Sequence, residues 1–207
     1  MSEQDHPGIY LISPTDFSLS VFAEQLAGIL DTFEIPCVRL RGFSDDADTI
    51  ARAADVLREI CHQREVPIVI DNHYRIAQSH GLDGVHLTTG TKHLRDLRKE
   101  LGADAIIGSY CGDSRHTGIT AGEIGADYVS FGPVTQSPLA SDQIAAFDTF
   151  EWWSEMINLP VVAEGFVTLE AAEKLAPVTD FFALGAEIWN AGTDPETTLR
   201  DYLKRIS

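Results

Sequence analysis

Two arginines two residues apart, Arg39 and Arg41, close an apolar stretch that reads Val38-Arg39-Leu40-Arg41. Residues two apart share a face of a β-strand, so both guanidinium groups point one way and Val38 and Leu40 the other. A buried guanidinium needs a counter-charge. Either an anionic ligand supplies it, or an internal acid such as Asp71 or Glu164 does. A second apolar stretch ends Val69-Ile70-Asp71-Asn72-His73, which sets polar groups where a metal or ligand could be held or a loop capped. Asp71 is the candidate metal ligand. His86 stands between Val85 and Leu87 and faces away from both, either as a hydrogen-bonded core residue or as a site residue. The runs Ala163-Glu164-Gly165-Phe166 and Leu184-Gly185-Ala186-Glu187 place glycine just past an apolar strand. Gly165, Gly185 and Ala186 could present backbone N–H groups to a phosphate, since glycine permits close backbone approach. Glu187 would compete for those same groups.

Such residues act together only if the chain gathers them. Eight short apolar runs do so in principle: Ile9–Ile12, Pro36–Arg41, Val66–Asp71, Gly84–Leu87, Ala105–Ser109, Tyr128–Gly132, Val161–Glu164 and Phe181–Leu184. They are rich in Val, Ile and Phe and bounded by Gly, Pro, Asp or Asn. Between them lie helical patterns, such as Phe22-Ala23-x-x-Leu26-Ala27-x-x-Leu30, and Thr168 is placed to cap a helix start. Regular alternation of strand and helix means a parallel sheet. Repeated eight times over residues 1–207, it predicts an α/β fold of one domain, a single (β/α)8 TIM barrel. An open doubly wound sheet is the rival, but the turn after the first strand, Ser13-Pro14-Thr15-Asp16, lacks its glycines. In a barrel the site lies where strands end, so Arg39, Asp71, Ser109, Gly132 and Glu164 are expected near one rim. Residues 135–147 read as a long loop after the sixth strand.

Composition narrows the partners. The net charge of -17 repels phosphate backbones and excludes nucleic acid as the expected partner. No apolar run reaches the ~20 residues that cross a bilayer. The acidic start Met1-Ser2-Glu3-Gln4-Asp5 is unlike a secretory signal, and Cys37, Cys61 and Cys111 show no paired spacing. A cytoplasmic protein with free thiols and a small-molecule ligand is expected.

Five segments in register carry a resemblance to the thiamine phosphate synthase and thiazole tautomerase family. Val38–Phe43 resembles its Q-L-R-E-K strand, Ile68–Ala77 its I-I-N-D-x segment, and Leu159–Gly165 its I-P-V-V-A-I-G-G segment. The specific matches are Asp83–Leu87, D-G-V-H-L, and Ala126–Val134, A-D-Y-V-S-F-G-P-V. The resemblance implies a transferase of thiamine biosynthesis. It would join hydroxymethylpyrimidine pyrophosphate to a thiazole phosphate and use Mg2+ to stabilise the leaving pyrophosphate. Carried over by position, it implies pyrophosphate and substrate contacts at Arg39, Arg41, Asp71, Asn72 and His86, with Ser109 near the same rim, and a thiazole-phosphate loop at Thr135 and Ser137. Departures are visible. Asn72 and Thr91 stand where the family has its metal-binding carboxylates, Phe43 replaces a lysine, and Phe166 replaces a glycine. The tautomerase histidine aligns near Gly112, with His116 one turn on. These changes weaken the expected Mg2+ site. They leave three outcomes open: the synthase reaction, a tautomerase-like or other reaction, and a paralogue that binds a phosphorylated or heterocyclic ligand without catalysis.

Overall fold

The structure, a computed structural model, describes residues 6–42, 44, 46–136, 143–190, 192 and 194–207. Phe43, Asp45, Ser137 and the centre of the loop after the sixth strand lie outside the described residues. Eight parallel strands form one closed barrel in sequence order: β1 Gly8–Ile12, β2 Cys37–Leu40, β3 Ile68–Asp71, β4 Gly84–Leu87, β5 Ile106–Tyr110, β6 Tyr128–Phe131, β7 Val161–Glu164 and β8 Phe181–Leu184. The open-sheet rival is thereby excluded, because β8 pairs back onto β1 from Gly8↔Phe181 to Leu11↔Leu184. Three strands, β4, β7 and β8, have the bounds expected from sequence.

Helices α1 Leu19–Thr32, α2 Ala47–His62, α3 Tyr74–His80, α4 Leu94–Leu101, α5 Arg115–Ile124, α6 Phe147–Met156 and α7 Leu169–Leu175 connect the strands. The last unit carries two, the short α8 Ala186–Trp189 and α9 Pro195–Ile206. Their starts are chemically marked. Asp46, Ser114, Thr168 and Asp194 accept the N–H of Thr49, Thr117, Ala171 and Thr197. The expected cap at Thr168 is among them. No helix among the described residues is long and apolar enough to cross a membrane.

Strand parity sorts the interior into two cores. Ile9, Leu11, Val38, Leu40, Ile70 and Val85 face outward and pack with helix residues such as Phe22, Leu26, Leu57 and Trp153. Each fully buried side chain of this kind contributes about 1.5–3 kcal/mol. Tyr10, Ile12, Val69, Tyr128, Val162 and Ala183 form a separate cluster inside the barrel. At the N-terminal ends of the strands, aspartates tie neighbours together. Asp83, Asp127 and Asp180, just before β4, β6 and β8, accept the N–H of Ile68, Ile107 and Val161 in β3, β5 and β7 at 2.7, 2.7 and 2.8 Å. Ends of strands that would otherwise leave N–H groups unsatisfied are thus closed. An apolar cavity of about 210 Å3 lies at this same end, lined by strand-start residues such as Cys37, Ile106, Tyr128 and Phe181. It is at the opposite end from the βα loops, where barrel chemistry is placed.

Candidate active site

Parity decides the fate of the two arginines. Arg39 points into the lumen and is 1% exposed. Its Nη1 and Nη2 donate to Glu164 Oε2 and Oε1 at 3.1 and 2.6 Å, a two-pronged pair. Its Nε lies 3.3 Å from Asp71 Oδ1, close enough for charge attraction but not aligned as a hydrogen bond. Both acids named from the sequence as internal partners are therefore engaged, and Arg39 does not project from the mouth as a ligand contact. Arg41 lies one residue beyond β2, where strand parity ends. It is exposed at the mouth, and its backbone N–H donates to the buried Ser13 Oγ at 2.9 Å. The two guanidinium groups do not act as one clamp.

The buried charges set one another's protonation. Burial works against the charge on Arg39, but Glu164, Asp71 and Tyr10 together raise its pKa well above the ordinary value. Burial pushes the Glu164 carboxyl up, and Arg39 outweighs that and brings it down to about 2, with His86 and Ser130 acting in the same direction. Burial, aided by the Arg39 charge and opposed by Glu164, pushes the His86 imidazole down to about 3. His86 is therefore neutral at ordinary pH, which leaves Arg39 as the charge that holds Glu164 ionised. For Asp71 burial dominates, raising its carboxyl against the pull of Arg39 and Arg41.

Below these groups runs a chain of hydroxyls. His86 Nδ1 lies 3.0 Å from Tyr128 Oη, which lies 2.6 Å from Tyr10 Oη. His86 is fully buried and its Nε2 sits 3.8 Å from Glu164 Oε2. Of its two readings from sequence, the hydrogen-bonded core histidine fits this placement. Tyr10, Tyr128 and Ser130 were not singled out from the sequence. The signal for them is parity: counted by twos along their strands, they fall on the lumenal side with His86 and Glu164.

At the mouth, Asn72 adopts a left-handed φ of 56° and exchanges two hydrogen bonds with Thr88, its Nδ2 to Oγ1 at 2.7 Å and the Thr88 N–H to its Oδ1 at 3.1 Å. Thr135 Oγ1 donates to the Phe166 carbonyl at 2.5 Å, linking the loops after β6 and β7. Gly165 and Phe166 both have positive φ, 84° and 53°, and Phe166 is 48% exposed. A Cβ at Gly165 would approach Pro133 to 3.1 Å, so a glycine is required there on two counts. The competition anticipated at Glu187 is present. Its Oε2 accepts from the Gly185 N–H at 3.0 Å and its Oε1 from the Val167 N–H at 3.1 Å. Ala186 is exposed at the start of α8.

Ser109 is not brought to this mouth. It aligns with Leu87 and Val129, both in the outer core, and is fully buried beside Cys111. Ile107 shares its parity, so the lumenal position of β5 falls at Gly108, aligned with His86. Ser137 lies outside the described residues. For a metal, the donors on offer at this mouth are Asp71 and Asn72. Among the described residues no three His, Cys, Asp or Glu side chains gather as a ligand set. The Asp71 carboxylate faces Arg39, and the amide oxygen of Asn72 accepts the Thr88 N–H with one of its two lone pairs.

Comparison with known proteins matches this architecture throughout. The family model described as thiamine monophosphate synthase matches residues 9–188. A thiamine-phosphate synthase of Rhodospirillum centenum is 37% identical over 196 residues, 94% of this chain and 95% of the relative. One from Erythrobacter litoralis is 31% identical over 218 residues, 100% of this chain and 99% of the relative. The solved structure of a thiamine phosphate pyrophosphorylase from Pyrococcus furiosus superimposes with a TM-score of 0.81 over 97% of both chains, at 18% identity, which speaks to the fold. The barrel, its site-bearing mouth and these relatives together show that this chain belongs to the thiamine monophosphate synthase family.

Proposed function

We propose that the protein is a transferase of thiamine biosynthesis that joins hydroxymethylpyrimidine pyrophosphate to a thiazole phosphate. The observation that carries this reading is the family match across residues 9–188, which spans all eight strands and the loops at the mouth. In the reaction the bond between the pyrimidine methylene carbon and the pyrophosphate oxygen breaks. The thiazole ring nitrogen supplies the electron pair of the new C–N bond, and pyrophosphate leaves. Negative charge develops on the leaving group, and a fixed cation beside it lowers the barrier. Arg41, exposed at the mouth, is the candidate for that contact. Arg39 acts through Glu164 and Asp71 as a positioning residue that keeps the lumenal floor rigid.

Magnesium enters this reading with the pyrophosphate rather than as a resident ion. Magnesium is usually held by one or two carboxylates plus substrate phosphate. Here Asn72 and Thr91 offer neutral oxygens in place of the family's acids, so the expected dependence on Mg2+ is weak. The test is formation of thiamine phosphate from both substrates, with and without Mg2+, by the wild type, by Arg41→Ala and by Asn72→Asp combined with Thr91→Asp. Wild type should turn over with shallow Mg2+ dependence, and the double variant should steepen it. Arg41→Ala should weaken pyrophosphate inhibition by about 1.5–3 kcal/mol, the scale of one charge-assisted hydrogen bond. Absence of turnover in wild type and in the double variant, with pyrophosphate still bound, would replace this reading by that of a ligand-binding paralogue.

A further inference from the structure

The loops after β7 and β8 already hold an anion, and it belongs to the protein. Two backbone N–H groups from two different loops, those of Val167 and Gly185, converge on the Glu187 carboxylate at 3.1 and 3.0 Å. Paired amides at a barrel mouth are what a phosphate oxygen uses, and here they are satisfied internally. The charge around them is wrong for a dianion. From Gly132 to Ala146, from Gly165 to Thr168 and from Gly185 to Asp194 the sequence contains no lysine or arginine. A phosphate placed here would meet a carboxylate, and no basic side chain of these three loops would offset the repulsion.

The neighbouring surface suits a different group. Phe166 is exposed at 48% although apolar, and it holds a φ of 53°, in the left-handed region that disfavours a residue with a side chain. Its carbonyl is fixed by Thr135, and its neighbour Val167 is fixed by Glu187 and by Tyr202, whose Oη donates to the Val167 carbonyl at 2.5 Å. An exposed aromatic residue one position before the amide that holds Glu187, and a carboxylate with lone pairs to spare, match a flat heteroaromatic ring bearing a hydroxyl.

We propose that Glu187 is a specificity-determining residue that lets this site accept the unphosphorylated thiazole alcohol as an acceptor alongside the thiazole phosphate. This rests on the proposed function. The alcohol's hydroxyl donates to the Glu187 carboxylate, which stays on its two amides, whereas the phosphate has to displace it. The chemistry balances as before. The ring nitrogen forms the C–N bond, pyrophosphate departs with the electron pair of the broken C–O bond, and the hydroxyl proton is retained, so the product is thiamine itself.

The experiment compares hydroxyethylthiazole with its phosphate as acceptor, by kcat/KM and by calorimetric affinity, in wild type, Glu187→Gln and Glu187→Ala. Thermal melts confirm that each variant is folded. In wild type the two acceptors should fall within about tenfold of each other, the scale of 1.4 kcal/mol. The ratio of phosphate to alcohol should rise at least tenfold in Glu187→Ala, with Glu187→Gln between. An unchanged ratio in Glu187→Ala, or a wild type that binds only the phosphate, overturns the assignment. If no acceptor is turned over, the transferase reading fails on its own, and the affinity ratio still decides the role of Glu187.

Discussion

A single buried guanidinium organises the lumen, and its neighbours carry a pH signature. Glu164 titrates at about 2 against an ordinary 4.5. A depressed carboxylate contributes stability above pH 4.5 and loses it as the pH falls through 2. His86 titrates at about 3 against 6.5. The unfolded chain binds that proton and the folded chain refuses it, so its share is complete above pH 6.5 and is lost on the way down to 3. Both slopes have one sign. The urea midpoint of wild type should therefore fall relative to that of His86→Asn between pH 6.5 and 4.5, because only wild type has this titration. Comparing the pair removes the opposing relief of surface repulsion as acids protonate. Parallel midpoint curves for the two proteins would refute the placement of His86. The arginine-acid alternative was legible in the sequence, since strand parity and the two named acids were visible there. The choice between ligand and internal partner was not, because it depends on β7 lying across the lumen from β2.

Elements are joined at their quiet end by a repeated device. Asp83, Asp127 and Asp180 each bond the backbone of the preceding strand, so β3 and β4, β5 and β6, and β7 and β8 are stapled in pairs. Asp180→Ala leaves the Val161 N–H without its 2.8 Å partner. Such a loss costs about 1–3 kcal/mol. Chemical denaturation should show that loss while kcat is unchanged, because the mouth is untouched; a fall in kcat with unchanged stability would contradict it. The strands themselves were legible because Val, Ile and Phe runs bounded by turn residues mark them residue by residue. Ser109 shows the limit. Its strand runs one residue further than expected, to Tyr110, and its parity with Ile107 turns it toward the helices. The aspartate staples were legible only as residues, since each bonds a partner fifteen or more positions away.

At the scale of the molecule, three thiols and a strong negative charge remain. Cys61 and Cys111 are buried and unpaired with one another, and Cys37 is half-buried. Burial pushes the Cys61 thiol up to about 12 and that of Cys111 to about 11, and Cys37 higher still. Since the thiolate is the reactive form, a disulfide reagent at pH 8 should label the native protein slowly and count three thiols after denaturation. A count of one would mean a disulfide. The chain carries a net charge of -17, and Arg41 stands exposed at the mouth. Under the proposed function, a pyrophosphate ester approaching from solution would first be repelled by the whole body and then captured by that arginine. The repulsion acts over distances that salt screens, about 10 Å at 0.1 M, while the final contact is short. Moderate salt should therefore speed the encounter with pyrophosphate, the reverse of the usual behaviour of oppositely charged partners. On that reading arrival and residence would be governed by different charges: the acidic surface would set how often the substrate finds the mouth, and Arg41 how long it stays.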